Sequence, residues 1–207
     1  SVKEHVFTNL NKGQAFKVFA AENNDFSEVT WFYPVGESDT EITNYVSYNY
    51  AENLWSVGTL DRGAWIGYSK NSNPIASSVN TGVTDANYLY NHETGFDDDG
   101  QAMTAFVESG DLEIGEGERF MMISRIIPDF SFRGATSDAS VDFTIKGSNF
   151  PLETPTTQAT ATVTSSTQQS HIRTRARHAV VRIESSGSGY GWRLGDLRFD
   201  MRQDGRR

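Results

Sequence analysis

The chain has 207 residues, a formal net charge of -9, 12% aromatic residues, 18 glycines and no cysteine. A chain of that length buries a core without covalent staples, and the missing cysteines exclude disulfides, thiolate metal sites and cysteine nucleophiles. No apolar run reaches the roughly 20 residues of a membrane helix, so no membrane insertion is expected.

The sequence opens on Ser1 and is expected to be part of a longer polypeptide. Charge is spread unevenly. Residues 1–118 hold 5 Lys/Arg against 19 Asp/Glu, and residues 119–207 hold 13 against 8. Such polarity predicts two surfaces with different partners, or an acidic half that serves solubility.

Val, Thr, Ser and Tyr recur and long 3.6-period stretches are missing, so the elements are expected to be strands. The first pair spans residues 16–21 and 28–35, joined by a turn at 22–25. Residues 45–50 alternate, with Tyr45, Ser47 and Asn49 on one face and Val46, Tyr48 and Tyr50 on the other. Residues 54–60 complete a four-strand meander of the size of one propeller blade. A second, similar unit is expected from short strands at 64–68 and 74–78, then 88–94 and 103–109 as a hairpin around loop 95–100. The pattern changes near Gly115-Glu116-Gly117. Residues 120–128 and 130–133 are apolar, broken at Pro128. Residues 141–146 alternate, 154–169 form a Thr-rich edge strand, and 171–184 and 192–201 close the chain. This spacing predicts a β-sandwich. The expected architecture is therefore all-β, with a propeller-blade region at 1–117 and a sandwich-like domain at 118–207.

Asp97, Asp98 and Asp99, followed by Gly100, present three carboxylates that suit a hard cation, although the alternate spacing of an EF-hand is missing. The other account is a solvated hairpin tip. Glu93, Glu108, Asp111 and Glu113 are candidates for paired acid/base chemistry, which needs two carboxyls facing one bond. His5, His92, His171 and His178 are scattered, with no metal-ligand spacing and no Gly-x-Ser-x-Gly elbow. Arg173, Arg175 and Arg177 fall at i, i+2 and i+4, so on one strand they project to a single face. That row suits phosphates, the carboxylates of a neighbouring subunit, or local ion pairs. Leu197, Phe199 and Met201 alternate with Arg198, Asp200 and Arg202, as a last strand would, ahead of a polar tail at 203–207.

Four blocks carry a resemblance. Residues 45–65 (YVSYNYAENLWSVGTLDRGAW) resemble a blade motif of bacteriophage virion proteins, and residues 88–95 (YLYNHETG) resemble the next blade. Residues 120–129 (FMMISRIIPD) and 192–207 (WRLGDLRFDMRQDGRR) are similar to the closing domain of the same proteins. The family is that of tail nozzle, or packaged-DNA-stabilisation, proteins of short-tailed phages. The resemblance implies a virion tail protein without catalytic residues or cofactors, assembled with copies of itself as a ring, usually a hexamer. Its neighbours would be other tail, adaptor or portal-proximal proteins, with genomic DNA passing transiently through the channel. Family members are several times longer, so the chain would be a C-terminal portion. An acidic wall would keep DNA from sticking; the opposite placement puts the arginine row in the lumen. The competing expectation is a carbohydrate-binding or carbohydrate-cleaving β protein using Trp31, Trp55 and Trp65.

Overall fold

The computed structural model describes residues 1–38, 40–67, 73–79, 88–134 and 139–205. Tyr68, the end of one expected strand, and Arg206 and Arg207 of the expected tail lie outside them. The chain is mostly β and divides into two compact units, Ser1–Thr94 and Gly95–Arg207. No helix among the described residues is long and apolar enough to cross a membrane.

The first unit opens with a helix that strand-based reasoning missed. The Ser1 hydroxyl accepts from the Glu4 N–H and the Glu4 side chain returns the bond, a capping box that starts α1 (Val2–Asn9). A 3-10 helix, Lys12–Lys17, follows, with Asn11 accepting from the Gly13 N–H. The expected meander then forms as β1 (Phe19–Asn23), β2 (Glu28–Tyr33), β3 (Asn44–Asn49) and β4 (Leu54–Thr59), each antiparallel to the next. Phe19, Phe32 and Tyr45 stand in register on one face. They close over Ala21, Ile42, Leu60 and Trp65 as a small core.

A three-stranded sheet follows, of β5 (Arg62–Ile66), β6 (Ile75–Ser78) and β7 (Leu89–Asn91). It lies against β1, where the Trp65 indole donates to the Glu22 carbonyl at 3.2 Å. Gly67 passes so close to that carbonyl that a Cβ there would collide with backbone.

The expected 88–109 hairpin does not form. The strand after loop 95–100, β8 (Ala105–Glu108), enters the second unit instead, as does β9 (Leu112–Glu113). The division of the chain thus falls before Gly95 rather than at the expected 117. The cause is specific pairing. Glu108 stands opposite Arg182 and reaches Lys146 at 2.7 Å, while the Arg182 guanidinium lies 3.8 Å from the centre of the Phe106 ring.

The second unit continues with β10 (Met121–Ile127), β11 (Phe130–Gly134), β12 (Ser140–Ser148), β13 (Thr156–Thr164), β14 (Ser170–Ala176), β15 (His178–Ser185), β16 (Tyr190–Leu194) and β17 (Arg198–Gln203). β14, β10 and β17 form one sheet; β13, β12, β15 and β8 form another, with β9 also on β15; β11 and β16 pair as a ribbon. Met121, Ile123 and Ile126 of the first sheet share one buried cluster with Val141, Phe143, Ile145, Val163, Ala179, Val181 and Ile183 of the second. The Thr-rich strand is an edge strand as expected. The single strands expected at 171–184 and 192–201 are each two strands in different sheets.

Candidate interaction surfaces

The arginine row is divided. Arg173 and Arg175 lie on the exposed face of β14, because Thr174 and Ala176 point into the unit and are buried. Arg177 is past the strand's end and works as a clamp. Its guanidinium donates to the carbonyls of Gly117 and Glu118, at 3.1 and 2.7 Å. Arg175 and Arg177 both lie over the Phe120 ring, at 3.8 and 4.7 Å from its centre. Arg175 also holds Asp204 at 2.6 Å. The expected three-arginine stripe on one strand is therefore absent, and two of its members fasten local structure.

The face around Arg173 is mixed in sign. Arg175, Met122 and Arg202 stand in register across β14, β10 and β17. A bulge at Ser124 restores the alternation, so Arg125 shares that face and holds Asp200 at 2.6 Å. Arg202 and this register were not foreseen, since pairing partners distant in sequence have no local signal.

Charge along the chain does not become charge by unit. Residues 1–94 hold 5 Lys/Arg against 11 Asp/Glu, and residues 95–207 hold 13 against 16. The acid-rich segment before Arg119 lies in the second unit, beside basic side chains. Glu108 joins Lys146 and Arg182, and Glu113 stands 3.2 Å from His178 Nδ1. The Glu108 carboxyl is accordingly held below its ordinary range, mainly by the Lys146 hydrogen bond.

Asp98 and Asp99 lie in a tight, exposed hairpin turn, as the solvated-tip reading expected: Asp98 and Gln101 exchange backbone hydrogen bonds at 3.0 and 2.9 Å, with Asp99 and Gly100 at positive φ between them. The Asp97 carboxylate accepts from the Gly189 N–H. Among the described residues no three His, Asp or Glu side chains are grouped to hold a metal ion, and these aspartates are no exception.

Of the candidate acids, Glu93 is set apart. Partial burial raises its carboxyl above the ordinary range; the Asn23 amide, donating at 2.8 Å, opposes this, and the like charges of Glu28 and Asp25 add to the rise. Tyr45 is raised by burial and by the same two glutamates, Glu28 and Glu93. Beside them His92 Nε2 accepts from Arg62 Nε at 2.9 Å, with the Trp65 ring 4.5 Å away. Arg62 is buried and lies over Tyr90.

The remaining feature is apolar. β4 is an outer strand of its sheet, yet Leu54 is 59% exposed, Trp55 50%, and Val57 is also exposed. Trp55 stacks with Trp31 at 6.0 Å and meets Tyr48 at 4.7 Å, extending an aromatic strip across three strands. On β8, Phe106 and Val107 are exposed as well. Trp65, by contrast, packs against Phe32 in the core and is no free platform.

No protein-family model matches the chain, and no curated protein matches it.

Proposed function

We propose that this chain is a non-enzymatic structural component of a bacteriophage tail, built into a ring of its own copies beside other tail proteins along the path of the DNA. The observation that carries the proposal is the solvent-facing Leu54-Trp55-Val57 segment on an outer strand. Edge strands with apolar side chains and one unpaired backbone side are templates for another chain. Burying a side chain the size of Leu contributes about 1.5–3 kcal/mol. The blocks that resemble nozzle proteins include this strand. In the finer reading, the β1–β4 meander is one propeller blade, β5–β7 belong to the next, and the second unit is a sandwich around its shared core. Candidate acid Glu108 is engaged in ion pairs with Lys146 and Arg182, and Glu113 stands against His178, contacts between strands that suit a structural role.

A grip on DNA by the arginine row has less support, because Asp200 and Asp204 lie among the arginines and would repel phosphates. The second reading, a carbohydrate-binding protein, has the Trp31, Tyr48 and Trp55 strip in its favour.

Sedimentation of the full chain over a range of concentrations tests the choice. We expect oligomers, and at least tenfold weaker assembly, order of magnitude, in a Leu54→Lys, Trp55→Lys variant. A monodisperse monomer at high concentration overturns the structural proposal. Glycan binding that disappears with Trp55→Ala would replace it with the carbohydrate reading.

A further inference from the structure

A side-chain cluster in the first unit sets a buried amide oxygen without a hydrogen-bond donor beside two glutamates. Asn23, the last residue of β1, and Glu28, the first of β2, are cross-strand partners, so their side chains share a face. Direct partners of this kind hold their Cβ atoms roughly 5 Å apart. Glu93 reaches the same place from beyond β7, where its carboxylate accepts from Asn23 Nδ2 at 2.8 Å. Asn73 fixes that approach by donating to the carbonyls of His92 and Glu93, at 3.1 and 3.4 Å. The segment after β7 thus reaches an amide on β1 that stands opposite the first residue of β2.

That amide is incomplete. Asn23 is only 6% exposed, and its Oδ1 is buried without a hydrogen-bond donor. A buried polar atom left in this state is unfavourable, because folding has removed its water and supplied no donor. The charges bearing on Glu93 are those of Glu28 and Asp25, both negative. One oxygen of Glu28 faces the Ser47 hydroxyl at 3.4 Å, a weak contact that neutralises nothing.

We propose that Asn23 Oδ1 and the carboxylates of Glu28 and Glu93 form a binding site for a calcium-sized divalent cation, with the exposed Asp25 adding charge at its rim. The donors are all oxygen, a set suited to hard cations. A cation supplies what the buried amide oxygen lacks and offsets the repulsion between the glutamates. Calcium accepts six to eight ligands in irregular geometry, whereas magnesium demands a near-ideal octahedron at shorter range. Two carboxylates and one amide leave the remaining positions to water. The affinity should therefore fall in the weak class, about 10⁻⁴–10⁻³ M. Occupancy would tie β1 and β2 to the segment after β7. This site is separate from Asp97, Asp98 and Asp99, and it does not depend on the proposed tail role.

The test uses the full chain, stripped with chelator and titrated with calcium chloride by calorimetry. A parallel titration follows terbium luminescence excited through tyrosine, since Tyr45 lies in the field of both glutamates. We expect one saturable site, weaker binding of magnesium, and a higher unfolding temperature with calcium. Glu28→Gln and Glu93→Gln should each weaken calcium binding by at least about tenfold. Both variants should still melt cooperatively without metal, which separates lost binding from lost folding. A variant with Asp97, Asp98 and Asp99 all changed to Asn should bind as before. Absence of saturable binding up to about 10 mM calcium, ten times the weakest expected constant, overturns the proposal. So does binding that survives both glutamine variants, or binding that is lost with the three aspartates.

Discussion

The second unit organises ten buried side chains from β10, β12, β13 and β15 into one cluster, on strands of seven to nine residues. The first unit has strands of three to six residues and a buried cluster of Ala21, Phe32 and Ile42, completed by partly buried rings. The second unit buries the apolar faces of β10, β12 and β15 in that cluster but leaves Phe106 and Val107 of β8 in water. The first leaves Leu54, Trp55 and Val57 in water. Both units thus keep apolar side chains exposed on an outer strand, but their cores differ in extent, and the two should fail differently when perturbed.

The largest effect is expected from Phe143→Ala. This ring is fully buried at the centre of β12 and meets Phe130 edge-on at 5.6 Å. Its removal should cost about 3–5 kcal/mol, from lost transfer energy and the cavity left behind. The indole N–H resonances separate the units, since Trp192 belongs to the second and Trp31, Trp55 and Trp65 to the first. In a urea titration the Trp192 signal should move to lower urea while the other three hold. Simultaneous loss of all four would break the comparison.

Gly67→Ala perturbs the first unit instead. The added methyl collides with the Glu22 carbonyl that Trp65 also uses, so β5 must shift away from β1. A cost of about 1–3 kcal/mol is expected, read as an earlier transition of Trp65 with Trp192 unchanged.

The all-β class, the four-strand meander and the edge position of the Thr-rich strand were legible, because each rests on local alternation. The bends were legible in principle. Inward residues fall on even numbers at Thr174 and Ala176, then on odd numbers at Ala179, Val181 and Ile183. That change of parity marks a strand switching sheets at Arg177. Trp192 and Leu194 against Phe199 show the same change on either side of Gly195-Asp196-Leu197. The helix α1 was announced by Ser1 and Glu4 in capping-box spacing. The choice of β15 as the partner of β8 was not legible, since Glu108 and Arg182 are far apart in sequence. For the same reason Glu93 could be named as a candidate acid but not joined to Asn23 and Glu28.

The smallest predicted effects oppose each other in sign. Glu93 has a folded-state pKa above its unfolded value, set first by burial. Folding of the first unit therefore takes up a proton in the window between the two values, and stability is greatest below the unfolded pKa. It declines as pH rises through that window and then levels off. Glu108 has a folded-state pKa below its unfolded value, set first by the Lys146 hydrogen bond. Its contribution to the second unit is present above the unfolded pKa and is lost as pH falls through the folded one. Acid should thus favour the first unit and weaken the second. With divalent metal removed, Glu93→Gln should stabilise the first unit at neutral pH and flatten its pH dependence. Glu108→Gln should cost the second unit at most about 1 kcal/mol, because the pair is partly exposed and screened by salt. Urea midpoints from the indole resonances, measured between mildly acidic and neutral pH, give both slopes in one sample. Parallel slopes for the two units would show that their acids do not differ in the way their surroundings require.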